Sequence, residues 1–445
     1  MITTPILDFV RRYAESGAAR FHMPGHKGAG PLGIEARDIT EIDGAGELYA
    51  PGGIIAESEG NASALFGAET YYSCEGSSLA IRAMLRLALR GAEKPVVLAG
   101  RNAHRAFLSA AALIGFDVDW LHPAPGEAYH SCAVRPEAVD AALARLGGRC
   151  RAVYLTSPDY LGHLADIGAI TAVCHRRGAL LLVDNAHGAY LKFLPEGSRH
   201  PMDLGADMCC DSAHKTLPAL TGAAYLHVHP RLGFPAGQVK EALSLFGSSS
   251  PSWLVLQSLD ACNPYLQALP AKLAGFLEKA AALKAALAGH GYTLVGDEPM
   301  KLTLAARAFG YTGDALADEL RKSGVVCEFH DPDFITLMPA PQNSDEDLRR
   351  LRDALLSVGK REPLPSGAPA YRVPKAALTI RGAAFAVRET LPVEKCAGRV
   401  LASPALACPP CVPIAVCGEV IDDGVIERLK YYGIGTLEVV ILNSF

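Results

Sequence analysis

The chain has no excess of charge that would announce a polyanionic partner. Lysine and arginine total 42 against 47 acidic residues in 445, a formal net charge of −5, and the basic residues are scattered without a run. The electrostatic footprint of a nucleic-acid binder is therefore missing. Nowhere do about 18 apolar residues follow one another without interruption, so no membrane span is expected. The opening residues, MITTPILDFVRRYAESG, lack a charged start followed by an apolar core, and no secretory leader is expected. Internal repeats and low-complexity tracts are absent too. The twelve cysteines have no regular spacing. Several sit in apolar runs (Cys150, Cys174, Cys209, Cys210) and read as buried thiols of a reducing cytoplasm. The CPPC at residues 408–411, with Cys396 and Cys417 nearby, fits zinc spacing poorly and has no paired histidines, so no metal is expected.

What remains is an ordinary globular composition, 50% hydrophobic and 20% charged, long enough for two or three domains. A short amphipathic helix is expected at residues 5–15. The Gly-, Pro- and His-rich loop FHMPGHKGAGPLG follows it, within an arm that reaches to about residue 55. From there short apolar runs alternate with helical patterns. Strands are expected at 95–100, 151–157, 179–184, 206–210 and 223–228. Helices are expected at 56–67, 103–114, 136–146 and 166–177. Continuous apolar strands separated by helices imply an α/β fold, a mostly parallel sheet covered on both faces. A helix ending near residue 265 and a second, long one at 268–289 close this large domain, residues 56–289. A small α+β domain is expected over 290–359, with strands at 325–330 and 334–339, and a compact C-terminal domain over 360–445.

Ligands of such sheets gather at the carboxyl ends of the strands, and the polar residues of this chain fall there. The run LLLVD ends in Asp184, with His187 just beyond. A second run ends in Ser212-Ala213-His214-Lys215. A lysine and an acid, each just past a buried strand, suit pyridoxal phosphate, whose aldehyde takes a lysine amine and whose ring nitrogen takes an acidic partner. Upstream, Glu75-Gly76-Ser77-Ser78 marks a strand-to-helix turn. It reads either as a simple serine cap or as a phosphate cradle of free N–H groups and hydroxyls; a phosphorylated cofactor favours the cradle. His104, in RNAHRA, is either a helix-start residue or a ring that stacks on the cofactor.

These stretches carry a resemblance. FHMPGHKG, EGSSLAIRA, RNAHRA, TSPDYLG, LLLVDNAHGA, SAHKTLPALTGAAYLHV, SSSPSWLVLQSLD and PIAVCGE are similar to segments of the Orn/Lys/Arg decarboxylases, and they spread from residue 21 to 419. The chain looks like the shorter branch of that family, with no wing domain ahead of the arm. The resemblance implies an aspartate-aminotransferase-like (fold type I) enzyme that removes the α-carboxylate of arginine, lysine or ornithine and releases an amine of polyamine metabolism. It also implies a cytoplasmic homodimer or larger homo-oligomer. Lys215 would carry the Schiff base and Asp184 would pair with the ring nitrogen. His104 would stack, with His187 beside the ring. Gly76, Ser77, Ser78, Ser212 and His214 would hold the phosphate. Glu419, in CGE, would face the distal cationic end of the substrate.

Four positions depart from the family pattern. Asn185 stands in DNAHG where DEAHG is usual, and Asp159 in TSPDY where TSPTY is usual. Gly46 precedes Glu47 where two aspartates are usual, and Cys417 replaces the proline of PGE. The departures fall on segments read as nearer the substrate than the cofactor, so an active decarboxylase of shifted substrate preference is expected. An aminotransferase or Cα–Cβ lyase on the same fold remains open, since fold does not fix reaction. So does a catalytically silent cofactor-binding homologue.

Overall fold

Apolar runs flanked by turns become strands buried on both faces, as the pattern predicts. In the computed structural model, which describes residues 2–124, 126–365, 367–404 and 411–441, seven strands make the large sheet, all but half-exposed β3 largely buried. They are β1 (Glu69–Ser73), β2 (Val96–Gly100), β3 (Asp117–Leu121), β4 (Cys150–Thr156), β5 (Leu180–Asp184), β6 (Met208–Asp211) and β7 (Ala224–Val228). The chain divides into two compact units, Met1–Gly91 with Leu180–Leu273, and Ala92–Ala179 with Ala274–Phe445.

In the first unit the strand order is β1-β7-β6-β5. β5 and β6 are parallel, whereas β7 runs antiparallel to both β6 and β1. In the second unit β2 lies between β4 and β3, parallel to both. β3 is not foreseen by the sequence reading. Its DVDWL alternates acids with apolar residues, which is how an edge strand is kept from pairing further. Helix Ile167–Arg176 begins where Asp166 accepts the Ala169 N–H at 3.0 Å, the expected cap chemistry.

A longer difference concerns residues 253–290. Two helices are expected there, but Trp253–His290 is one helix that carries Pro264 and Pro270 inside it. Each proline forfeits a ladder bond. Leu259, Leu266, Leu269 and Leu273, all buried, carry the packing through both interruptions. The small antiparallel sheet pairs β8 (Leu294–Val295), β9 (Leu302–Ala305), β10 (Phe329–His330) and β11 (Phe334–Leu337) in the order β10-β11-β9-β8. Only the last two residues of the expected strand at 325–330 pair. Helices Gly313–Lys322 and Asp345–Ser357 belong to the same layer, with Leu304, Phe309, Leu316, Ile335 and Leu355 in its core. Beyond it, β12 (Arg388–Pro392) and β13 (Thr436–Val440) pair antiparallel near a core of Cys396, Leu401, Ile421 and Leu429.

Candidate active site

The ends of β5 and β6 bring the first polar groups together. Asp184 closes β5 and is buried. Its Oδ1 accepts the Ala186 N–H at 3.2 Å, and the Cys210 thiol donates to the same oxygen at 3.7 Å. β6 ends at Asp211, and the chain turns at once through Ser212 into a one-turn helix, Ala213–Thr216. That turn aims Lys215, whose N–H returns to the Ser212 carbonyl at 3.0 Å. The Lys215 Nζ lies 3.1 Å from His187 Nε2. His214 donates through Nδ1 to the Ala223 carbonyl at 2.9 Å.

The turn after β1 adds an anion cradle. Gly76 opens helix Gly76–Ala88 at φ +69°, and its N–H donates to the Gly222 carbonyl at 2.7 Å. Gly222 sits at φ +98°, and a Cβ there would approach the Cys74 carbonyl oxygen to 2.8 Å, so only glycine lets the two loops meet. The Ser212 Oγ donates to the Ser77 Oγ at 2.9 Å, which ties the cradle to the lysine segment. The next N–H groups of the helix have no acceptor within the helix itself, and Ser78 stands among them.

Behind these groups lies a network that sequence reasoning missed. Asp211 is fully buried. It accepts from Asn185 Nδ2 at 2.6 Å on one oxygen, and from His200 Nε2 at 3.0 Å and His227 Nε2 at 3.1 Å on the other. Burial alone would raise its pKa; the two histidines outweigh that and hold the carboxyl well below the usual range. With Cys209, these histidines and the aspartate place their ligand atoms within 4.8 Å of one another. The rings nevertheless read as hydrogen-bonded. His200 Nδ1 accepts the Met202 N–H, so its Nε2 carries the proton that goes to Asp211 and has no lone pair for a metal. The only advance signal was an aspartate interrupting the apolar run CCD.

Gly76, Ser77, Ser78, Asp184, His187, Ser212, His214 and Lys215 all belong to the first unit, whereas His104 and Glu419 belong to the second. His104 follows β2 and caps helix Arg105–Ala110, its Nδ1 accepting the Ala106 N–H at 3.1 Å. Glu419 is buried, and its Oε2 accepts from Arg101 Nη2 at 2.9 Å and from the Val416 N–H at 2.7 Å. Burial raises the Glu419 pKa more than Arg101 lowers it. Arg101, also missed, stands three residues before His104 and stacks over Trp120 at 5.3 Å. Glu419 lines a groove of about 440 Å³ with Phe116, Trp120, His122 and Cys417.

Three of the four departures are core positions. Asn185 and Cys417 are buried. Asp159 is buried as well, accepting from Ser131 Oγ at 2.5 Å and His163 Nδ1 at 2.9 Å. Gly46 sits at φ +80° in the arm. Of the CPPC segment only Cys411 lies within the described residues.

A lysine amine, a buried carboxylate at the neighbouring strand end, and hydroxyls at a helix N-terminus form a donor set that fits a phosphorylated pyridine aldehyde. On a mostly parallel seven-stranded sheet, they define a pyridoxal-phosphate enzyme of fold type I. The family model for the Orn/Lys/Arg decarboxylase major domain matches residues 4–294. An arginine decarboxylase of Halalkalibacterium halodurans is 30% identical over 96% of this chain and 93% of its own. One from Bacillus subtilis is 28% identical over 96% and 92%. Among solved structures, a Francisella novicida lysine decarboxylase superposes with a TM-score of 0.81 at 15% identity, covering 99% of this chain and 81% of its own. The chain belongs to the Orn/Lys/Arg decarboxylase family and is a pyridoxal-phosphate-dependent decarboxylase of a basic amino acid.

Proposed function

We propose that the chain decarboxylates arginine to its amine, a polyamine precursor, with Lys215 as the residue that holds the cofactor. The observation that carries this reading is the Lys215 Nζ within 3.1 Å of His187 Nε2, on the turn between the buried Asp184 and the Ser77–Ser212 cradle. Arginine, rather than lysine or ornithine, is supported by the names of the 28–30% identical relatives.

In this reading the cofactor, when bound, supplies an electron sink for the pair released as carbon dioxide leaves. The chain's own residues do the rest. Asp184, buried at the end of β5, would keep the ring nitrogen protonated. Ser77, Ser78, Ser212 and His214 anchor the phosphate through hydroxyls and helix N–H groups. His104 would stack on the ring, as the family resemblance implies. His187 takes a proton from, or returns one to, the Lys215 amine across their 3.1 Å contact. Glu419 would meet the guanidinium with Oε1, since Arg101 holds Oε2.

The protein works as a dimer or larger homo-oligomer. The arm supports this, since Phe21, Met23 and Leu32 are 94%, 64% and 76% exposed in the single chain and burial against a second copy would be favourable. A reducing cytoplasm suits the unpaired thiols of Cys209 and Cys210.

Carbon dioxide release from arginine, lysine and ornithine, with product identification, tests the substrate. Equal or greater turnover of lysine would overturn arginine, and a keto-acid product would overturn decarboxylation. Borohydride reduction of the holoenzyme should fix the cofactor to Lys215, and Lys215→Ala should abolish the adduct. An adduct that persists on another lysine would overturn the assignment.

A further inference from the structure

The departure at Asn185 turns out to face the core. Its Nδ2 donates to Asp211 Oδ1 at 2.6 Å. Its N–H donates to the Cys210 carbonyl at 3.0 Å, and its own carbonyl accepts the Gly188 N–H at 2.8 Å. Its Oδ1 lies so near Gly188 that a Cβ at 188 would overlap it. Its backbone N–H and carbonyl and one Nδ2 proton are thus used, while Oδ1 is buried without a donor.

These bonds close a ring. One arc follows the chain from Asp211 through Ser212 to Lys215, tightened by the Lys215 N–H on the Ser212 carbonyl. The other crosses from Asp211 to Asn185 and follows the turn to His187. The contact between Lys215 Nζ and His187 Nε2 completes it. Asp184 is fastened to the same turn by its neighbour Asn185.

We propose that Asn185 and Asp211 are a positioning pair, which fixes Lys215, His187 and Asp184 relative to one another through a single buried amide-to-carboxylate bond. The proposal rests on reading those three as the cofactor residues. Neither member of the pair touches the reacting atoms.

The polarity of the bond gives the proposal its test. Both Asp211 oxygens already accept hydrogen bonds, so position 185 must donate. Asn185→Asp sets carboxylate against carboxylate and removes the tie. Asn185→Ala removes it without adding charge. Asp211→Asn is different, because Asn185 can rotate its amide and offer the unused Oδ1 to the new Nδ2, while the new Oδ1 goes on accepting from His200 and His227. The double variant Asn185→Asp/Asp211→Asn reverses the bond and keeps it.

The experiment measures two properties of each holoenzyme: the pyridoxal-phosphate dissociation constant, and the midpoint pH of the visible band that depends on Lys215. Asn185→Asp should weaken cofactor binding by about tenfold and shift the band midpoint, as broken contacts between coupled neighbours do. Asn185→Ala should shift both in the same direction. Asp211→Asn and the double variant should bind within about threefold of the parent, with the midpoint restored. Parent-like affinity and midpoint in Asn185→Asp would overturn the pair, and Asn185→Ala decides the point if the aspartate variant does not fold. A double variant no better than Asn185→Asp would overturn it as well. Failure of the underlying cofactor reading looks different, because the band would then survive Lys215→Ala.

Discussion

Asp211 in the first unit and Glu419 in the second are buried almost equally, at 0% and 5% exposed, yet their surroundings push their acidity in opposite directions. Burial opposes the charged form of both. Asp211 answers with three side-chain donors, Asn185, His200 and His227, and its pKa falls. Glu419 has one guanidinium and one N–H, and its pKa rises. At Asp211 the Coulomb attraction of His200 and His227, together with their hydrogen bonds, outweighs burial; at Glu419 Arg101 and the Val416 N–H do not. Asp211 is thus held as an anion within the core, whereas burial leaves Glu419 the weaker acid of the two.

The harshest way to break this contrast is Asp211→Leu. It strands an amide and two imidazoles in a dry core, and the loss should reach about 3–5 kcal/mol, as for other buried charged groups that lose a partner. Urea unfolding followed by circular dichroism measures it. A loss no larger than that of an ordinary surface substitution would mean the network is slack. Arg101→Leu should cost less, about 1–3 kcal/mol, because Glu419, already biased toward its neutral form, can take up a proton. Its deficit should therefore shrink as the pH is lowered; a deficit that grows on acidification would refute the assignment of Glu419 as the weakly held acid.

Asp260 sharpens the comparison from the middle. It is fully buried and accepts from the Leu7 N–H at 2.8 Å and the Ser58 Oγ at 2.5 Å. With two neutral donors, burial pushes its pKa up to about 6. A folded-state pKa above the unfolded value of about 3.9 means the neutral acid is the favoured folded form. Its stabilising contribution is then fully present below about pH 4 and is lost as the pH rises through about 6. The difference in urea midpoint between the parent and Asp260→Asn should fall over that window and be flat above it. A flat difference throughout would show that the two donors suffice to keep the carboxylate charged.

That Ser77, Asp184 and Lys215 come together was legible because they sit at strand ends in sequence order. Asp184 and Lys215 follow apolar runs, and Ser77 follows a strand-turn-helix pattern. The supporting half was not legible, because its pairings depend on register. His227 faces Cys209 only because β7 runs antiparallel to β6, which puts it on the same face as Asp211 two residues on. His200 arrives from a loop whose path no periodicity reveals. The long helix was divided on paper because prolines usually end helices; here buried leucines on both sides of Pro264 and Pro270 outweigh that preference. Asn185 is expected on a segment nearer the substrate than the cofactor. It directly follows Asp184 at the end of β5, so the two side chains leave on opposite faces, and the Asn185 amide goes to Asp211.

The smallest effect belongs to the rim of the Asp211 network. Burial lowers the pKa of His227, so the ring is neutral and its one proton is on Nε2, facing Asp211. Nδ1 is then a bare acceptor 2.9 Å from the Thr70 hydroxyl, whose one proton it shares with the Ala68 carbonyl at 3.1 Å. Thr70→Val removes that donor while keeping shape, and should cost about 1 kcal/mol. Thr70→Ser should cost less, since it keeps the hydroxyl. The nitrogen chemical shifts of His227 should still report an unprotonated Nδ1 in the valine variant. If that variant instead lost as much stability as Arg101→Leu, or if Nδ1 proved protonated, His227 would be a cation. Its full charge would then add to the hydrogen bonds that hold Asp211 ionised.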